Sequence, residues 1–177
     1  GAMSELNIGD PRWLTNDIGH VIDEDALTGI KSTVKTMCKK HEVIYQCKLD
    51  NDCQSGYFMP PTAIAIDSLD SLSQEVFGPV LHVISFKQSA LDDVISQINN
   101  TGYGLTLGIH SRINSTVEYI RNRVNVGNCY VNRNMIGAVV GLQPFGGEGL
   151  SGTGPKAGGP HYLSRLCTER TYTVDTT

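Results

Sequence analysis

The order of secondary structure is set by residues 80–131, which read VLHVISFKQSALDDVISQINNTGYGLTLGIHSRINSTVEYIRNRVNVGNCYV. Short apolar runs typical of strands occupy 80–86, 105–109 and 126–131. Two segments with apolar residues at helical spacing separate these runs. Because parallel neighbours need a long crossover, usually a helix, this alternation predicts an α/β fold with a mostly parallel sheet and flanking helices.

The sequence on either side of this stretch extends the same pattern. A helix is predicted from Asp23, as its N-cap, to His41, because apolar residues then recur every three or four positions. Ser89 and Asn114 are predicted to cap the helices that follow them. The other predicted elements are strands at 43–47 and 62–66, a glycine-rich loop at 132–160, a short helix at 162–166 and an alternating tail at 171–174.

Composition narrows the class of protein. With 177 residues, 40% hydrophobic and 18% charged, the chain can bury one core of ordinary size and contains no apolar run long enough for a membrane span. The net charge of −4, with no dense Lys/Arg cluster, argues against binding nucleic acid. Five scattered cysteines without a C-x-x-C motif predict reduced thiols in a cytoplasmic protein, and the histidines show no metal-ligand spacing, so no metal site is predicted.

Glycine is unevenly distributed: ten of the 19 glycines lie between residues 127 and 159. Residues 147–152 match G-x-G-x-x-G by letters, but a dinucleotide loop must leave a strand and open a helix. Here Gln143-Pro144-Phe145 precedes the match and Gly154-Pro155 follows it. We therefore favour a structural loop, or one shaped around a ligand, over a phosphate site.

Glu75 lies in the segment Glu75-Val76-Phe77-Gly78-Pro79, just before a predicted strand. A free carboxylate accepts hydrogen bonds from neighbouring sugar hydroxyls, and an adjacent aromatic ring can lie against a flat heterocycle. The alternative is a solvated loop glutamate beside a core phenylalanine. From these residues alone the second interpretation is favoured, and periodicity does not decide between them.

Several motifs, in the same order and spacing, resemble the C-terminal half of the aldehyde dehydrogenase catalytic domain. The motifs lie at 75–80, 103–105, 126–128, 131–132, 144–147 and 151–154. Residues 132–134, 136–141 and 152–160 resemble more particularly the L-glutamate γ-semialdehyde (1-pyrroline-5-carboxylate) dehydrogenase modules of the bifunctional proline utilisation A flavoenzymes. The resemblance extends from about Gly9 to Leu166.

The resemblance implies roles for five residues. Glu75 would hold the nicotinamide ribose hydroxyls of NAD, and Phe77 would border the nicotinamide ring. The backbone N–H groups of Gly137 and Ala138 would bind the α-carboxylate of the substrate, which suits a glycine without a Cβ. Phe145 would pack against the aliphatic part of the substrate, with simple loop packing as the alternative.

The resemblance also implies that the catalytic machinery lies elsewhere. The nucleophilic cysteine, the oxyanion-stabilising asparagine and the glutamate base of the family precede the Gly9-Asp10-Pro11 region, so no catalytic residue is assigned in this chain. We expect residues 1–3 to be an expression-tag remnant, 4–167 the C-terminal part of the catalytic domain, and 168–177 a strand of the oligomerisation type. The chain would then be an inactive fragment of an NAD-dependent enzyme of proline catabolism.

Two alternatives remain open at this point. The chain could be a non-catalytic folding or assembly module, forming a homo-oligomer through its C-terminal strand, or part of an aldehyde dehydrogenase with another substrate. The expected partners are L-glutamate γ-semialdehyde and the rest of the parent chain. A proline dehydrogenase domain with FAD is compatible with such a parent.

Overall fold

A computed structural model describes residues 1–136, 139 and 141–177 of the chain. The Cα positions divide into two units, Gly1–Phe86 and Lys87–Thr177. Gly137 and Ala138, the predicted carboxylate anchor, lie outside the described residues. Each unit combines short strands with helices, which confirms the α/β class.

Helix α1, Glu24–Met37, forms one wall of the first unit. It begins where predicted, because the Asp23 carboxylate accepts a hydrogen bond of 2.8 Å from the backbone N–H of Ala26. Its buried face carries Ile30, Val34 and Met37. The helix ends at Met37, four residues before the predicted end, and continues as a turn in which the His41 N–H donates to the Met37 carbonyl.

The sheet of the first unit contains β1 (Val43–Gln46), β2 (Thr62–Ala65) and β3 (Val80–Val83), in the order β1-β2-β3. Strands β1 and β2 are antiparallel, whereas β2 and β3 are parallel. Ile64 of β2 is fully buried between the strands and α1. The core cluster comprises Ile30, Val34, Met37, Met59, Ile64 and Ile66.

The second unit places a βαβ arrangement beside a glycine-rich loop. Its elements are α2 (Leu91–Asn100), β4 (Tyr103–Gly104), β5 (Thr106–Ile109), α3 (Asn114–Arg121), β6 (Asn128–Val131), β7 (Glu148–Gly149) and α4 (Tyr162–Arg165). Strands β5 and β6 are parallel and are joined through α3. Strands β4 and β7 form a two-residue antiparallel pair that joins the glycine-rich loop to the chain after α2.

The strand directions and two helix caps differ from the predictions. A mostly parallel sheet is not confirmed, because two of the four described strand pairings are antiparallel. Strands β1 and β2 pair antiparallel because the segment that joins them carries only a 3₁₀ turn, Asn51–Gln54, and no crossover helix. The two predicted caps are wrong: Ser89 already belongs to a 3₁₀ turn, and Asn114 is the first residue of α3, which follows Ile113.

The C-terminal residues after α4 carry no assigned helix or strand and are exposed. Tyr172 is 81% exposed and Val174 is 57% exposed. The strand predicted at 168–177 therefore stays a prediction that needs a partner. Within the described residues, no helix combines the length and the apolar character needed to cross a bilayer.

Replacing Ile64 with alanine should destabilise the first unit by about 3 kcal/mol, because the change leaves a cavity at a fully buried position. Ile44, which is 50% exposed on β1, provides the matched control, and Ile44→Ala should cost less than about 1 kcal/mol. Hydrogen exchange of the β2 backbone amides measures both changes. Equal losses for the two variants would contradict the assigned core.

Candidate functional site

A cleft of about 700 Å³ lies in the first unit between α1 and residues 74–78. The helix contributes Ala26, Gly29 and Thr33, which are three and four positions apart and therefore share one face. Their small side chains leave room along the helix. The opposite wall is the segment that contains Glu75 and Phe77.

The segment is anchored through Val76, which is half-buried at the base of the cleft. Val76 packs against the core cluster of the first unit. Its neighbours Glu75 and Phe77 both line the cleft and are exposed, Phe77 to 84%. Phe77 is therefore not a core residue, and the structure brings the predicted carboxylate and ring together on one cleft.

The turn after Phe77 is fixed to both α1 and β2. The Gly78 N–H donates to the Val76 carbonyl at 2.9 Å, and the Pro79 carbonyl accepts from the Thr62 N–H at 3.0 Å. A Cβ on Gly78 would lie only 2.5 Å from Cδ1 of Ile30, so a larger residue would force either the Ile30 side chain or the turn to move. The cleft thus combines an anchored backbone with freely accessible side chains.

Phe145 belongs to the second unit, where its loop is held from several sides. The Asn128 side chain bridges its two neighbours: Nδ2 donates to the Pro144 carbonyl at 3.0 Å, and Oδ1 accepts from the Gly146 N–H at 3.1 Å. Phe145 itself exchanges two backbone hydrogen bonds with Ala157. The half-buried Phe145 borders a cavity of about 290 Å³ between its loop and α4.

The glycines of this loop allow backbone segments to touch. A Cβ on Gly127 would lie 1.9 Å from the Gly146 carbonyl oxygen, and one on Gly152 would lie 2.3 Å from the Gly147 carbonyl oxygen. Gly149 has a left-handed φ of +60° in β7. Within residues 147–152, the backbone conformation of Gly149 and the close packing of Gly152 explain why glycines occur at these positions. This agrees with the structural interpretation made from the sequence.

Three of the five cysteines are buried or half-buried, whereas Cys38 and Cys167 are exposed. Burial raises the pKa of the Cys129 thiol, which disfavours the thiolate. Cys47 and Cys53 are buried, and each thiol donates to a backbone carbonyl, that of Met3 and that of Ile8 respectively. Across the described residues, no group of three or more His, Cys, Asp or Glu side chains is arranged to hold a metal ion.

Sequence reasoning missed the supporting residues on both units. The small residues on the cleft face of α1 were predicted as helix but not as a binding wall. Asn128 gave a signal, since it is a polar residue entering an otherwise apolar strand directly after Gly127. Neither feature could be assigned without knowing which segments pack together.

A model of the aldehyde dehydrogenase family matches residues 1–172, and the chain belongs to this family. Over 175 residues it is 54% identical to the bifunctional protein PutA of Klebsiella aerogenes and 53% identical to that of Escherichia coli strain K12. These matches cover 96% of the chain but only 13% of each relative. A 1-pyrroline-5-carboxylate dehydrogenase of Geobacillus kaustophilus is 40% identical and covers 90% of the chain and 30% of that protein.

Solved structures give the same relationship. A proline utilization A mutant from Bradyrhizobium japonicum superposes with a TM-score of 0.91 at 48% identity, over 98% of this chain and 17% of that one. A 1-pyrroline-5-carboxylate dehydrogenase mutant from Thermus thermophilus gives 0.79 at 34% identity, over 90% of this chain and 30% of that one. The predicted resemblance to the aldehyde dehydrogenase fold and to these enzymes is confirmed.

Replacing Gly127 with alanine should destabilise the second unit by about 2 kcal/mol, because the new methyl group would overlap the Gly146 carbonyl oxygen. Gly154→Ala is the matched control in the same unit: its Cβ would meet its nearest atom, Nε of Arg165, at an ordinary 3.8 Å. Urea unfolding followed by circular dichroism measures the difference. A tolerated Gly127→Ala would refute the close backbone approach.

Proposed function

We propose that this chain is part of a longer NAD-dependent L-glutamate γ-semialdehyde dehydrogenase, which oxidises the open-chain form of 1-pyrroline-5-carboxylate to L-glutamate in proline catabolism. The observation that carries the proposal is the outward pair Glu75 and Phe77 on one anchored cleft. Its support is the 54% identity to a bifunctional PutA protein. The small share of each relative that the chain covers supports a longer parent.

The cleft of the first unit fits the nicotinamide riboside part of NAD. An exposed carboxylate accepts hydrogen bonds from two adjacent hydroxyls, and an exposed ring beside it covers one face of a flat heterocycle. NAD, when bound, supplies the hydride acceptor. Glu75 fixes the sugar and Phe77 limits the tilt of the ring, so these residues orient the cofactor and take no part in bond breaking.

The substrate end is assigned to the second unit. Gly137 and Ala138 would donate their backbone N–H groups to the α-carboxylate, since two consecutive amides form a positively polarised nest. Phe145 would contact the aliphatic chain between this carboxylate and the aldehyde. The hydrogen bonds on both sides of Phe145 support this role, because a contact residue selects for shape only if its backbone is fixed.

The nucleophile, the oxyanion donor and the base would come from other parts of the parent. The raised pKa of Cys129 and the burial of Cys47 and Cys53 support this division. Residues 4–167 would supply the clamp and the anchor, and residues 168–177 would add a strand to a neighbouring subunit. A cytoplasmic parent with a separate FAD-dependent proline dehydrogenase domain completes the proposal.

Replacing Glu75 with alanine in the full-length parent should weaken NAD binding by about 1 to 3 kcal/mol, which is roughly five- to 150-fold in Kd, because hydrogen bonds to a charged acceptor are lost. Titration calorimetry with NAD measures the change directly. Glu42→Ala, which removes an exposed carboxylate from the same unit outside the cleft, should leave the Kd unchanged. Equal affinities for wild type and Glu75→Ala would rule out the ribose clamp.

The isolated chain should reduce no NAD when mixed with L-glutamate γ-semialdehyde, because the proposed nucleophile belongs to another part of the parent. NADH absorbance measures turnover, with the full-length parent as the positive control. In that parent, Cys129→Ser should keep kcat within about twofold of wild type, since a hydrogen-bonding isostere replaces a thiol with no chemical role. Loss of activity on this substitution, or turnover by the pure chain, would place the nucleophile here.

A further inference from the structure

Asn128 holds both neighbours of Phe145 with one side chain. The half-buried amide is the first residue of β6, so its backbone is fixed by the parallel pairing with β5, in which Asn128 lies opposite Thr106. Its Nδ2 and Oδ1 atoms bond to the Pro144 carbonyl and to the Gly146 N–H. Because the amide is attached to β6 and bonds to the residues on both sides of Phe145, it fixes the position of Phe145 relative to the strand.

Further contacts complete this support. The Phe145 N–H and carbonyl pair with the carbonyl and N–H of Ala157 at 3.0 and 2.9 Å. The Lys156 ammonium donates to the Gly146 carbonyl at 2.9 Å. Three consecutive residues thus have their backbone polar groups bonded, and the origin of the Phe145 side chain is fixed relative to the strand.

The second unit contains another asparagine with the same bonding pattern. Asn99 donates from Nδ2 to the Arg123 carbonyl at 2.7 Å and accepts at Oδ1 from the Asn125 N–H at 2.9 Å. Both side chains bridge a carbonyl and the N–H two residues later. Asn99 holds the turn after α3, whereas Asn128 holds the loop of Phe145. Asn99 is therefore a control in which the same kind of amide bridge can be removed without affecting the support of Phe145.

We propose that Asn128 is a positioning residue that sets, through Phe145, the selectivity for aldehydes with an extended aliphatic chain. The inference rests on the proposed function, in which Phe145 contacts the chain of the substrate. Without the Asn128 hydrogen bonds, the loop keeps its contacts with Ala157 and Lys156 but is no longer tied to β6 by this side chain. The ring then shifts, and its contact with a long substrate weakens. A short aldehyde that does not reach the ring is unaffected.

The test compares Asn128→Ala, Asn128→Asp, Asn99→Ala and Phe145→Ala in the full-length enzyme. The measurements are kcat/KM for L-glutamate γ-semialdehyde and for propanal, KM for NAD, and the melting temperature. Asn128→Ala should lower kcat/KM for the semialdehyde by roughly tenfold to a hundredfold, as expected for a displaced contact group, with little change for propanal or for NAD. Asn128→Asp keeps the acceptor for the Gly146 N–H and should give an intermediate loss.

Asn99→Ala should retain the wild-type ratio between the two aldehydes, even where its melting temperature falls. The inference is overturned if Asn128→Ala lowers kcat/KM by a similar factor for both aldehydes. It is also overturned if Asn99→Ala shows the same selective loss for the semialdehyde. If Asn128→Ala does not fold, the ratio in Asn128→Asp decides, and a wild-type ratio there overturns it. If Phe145→Ala keeps the wild-type ratio of kcat/KM for the two aldehydes, the role proposed for Phe145 itself fails. If the ratio changes in Phe145→Ala but not in the Asn128 variants, only the positioning role of Asn128 is rejected.

Discussion

The contact between Gly127 and the carbonyl of Gly146 determines how the second unit is assembled. A Cβ at residue 127 would lie 1.9 Å from that oxygen, so the loop packs directly on the backbone that enters β6. On its other side, the Gly127 N–H donates to the Gly104 carbonyl at 3.0 Å. Because the loop comes this close, the next side chain, Asn128, is long enough to bridge it.

In the first unit, a glycine likewise allows a close contact, here with a side chain instead of a backbone carbonyl. Gly78 lies against the Ile30 side chain of α1, so the turn that contains Gly78 packs closely on the helix. In the segment before the turn, the half-buried Val76 packs against the core cluster. Glu75 and Phe77, on either side of it, remain exposed on the cleft. The two exposed side chains therefore flank a residue that is held by the core.

The sequence predicted those elements whose signal is local. Helix α1 was found from its apolar spacing and the Asp23 cap, and its start is confirmed. Strand β3 was predicted to reach residue 86 but ends at Val83, opposite Ala65, because its partner β2 ends there. Periodicity carries no information about where a partner strand stops. The β4–β7 pairing joins two-residue strands far apart in the chain and leaves no periodic trace.

The direction of the β1–β2 pair, in contrast, has a local signal. The segment between β1 and β2 has no apolar helical spacing, and strands that are joined without a crossover helix pair antiparallel. The candidate site shows a similar limit. Glu75 was ambiguous from its neighbours alone, since a cleft and a solvated loop both expose a carboxylate. What separates the two is tertiary packing: Val76 contacts the core cluster, and the segment then forms a cleft with α1.

The cleft of the first unit and the Phe145 loop of the second unit, each considered by itself, share one physical design. Exposed or half-exposed groups stand on backbone whose own polar atoms are already bonded, at Gly78 and Pro79 in one unit and around Phe145 in the other. Such groups lose little backbone freedom when a ligand binds, so more of each contact appears as affinity. Under the proposed function, the chain would orient a cofactor and a substrate, and pre-ordered backbone is what this role requires.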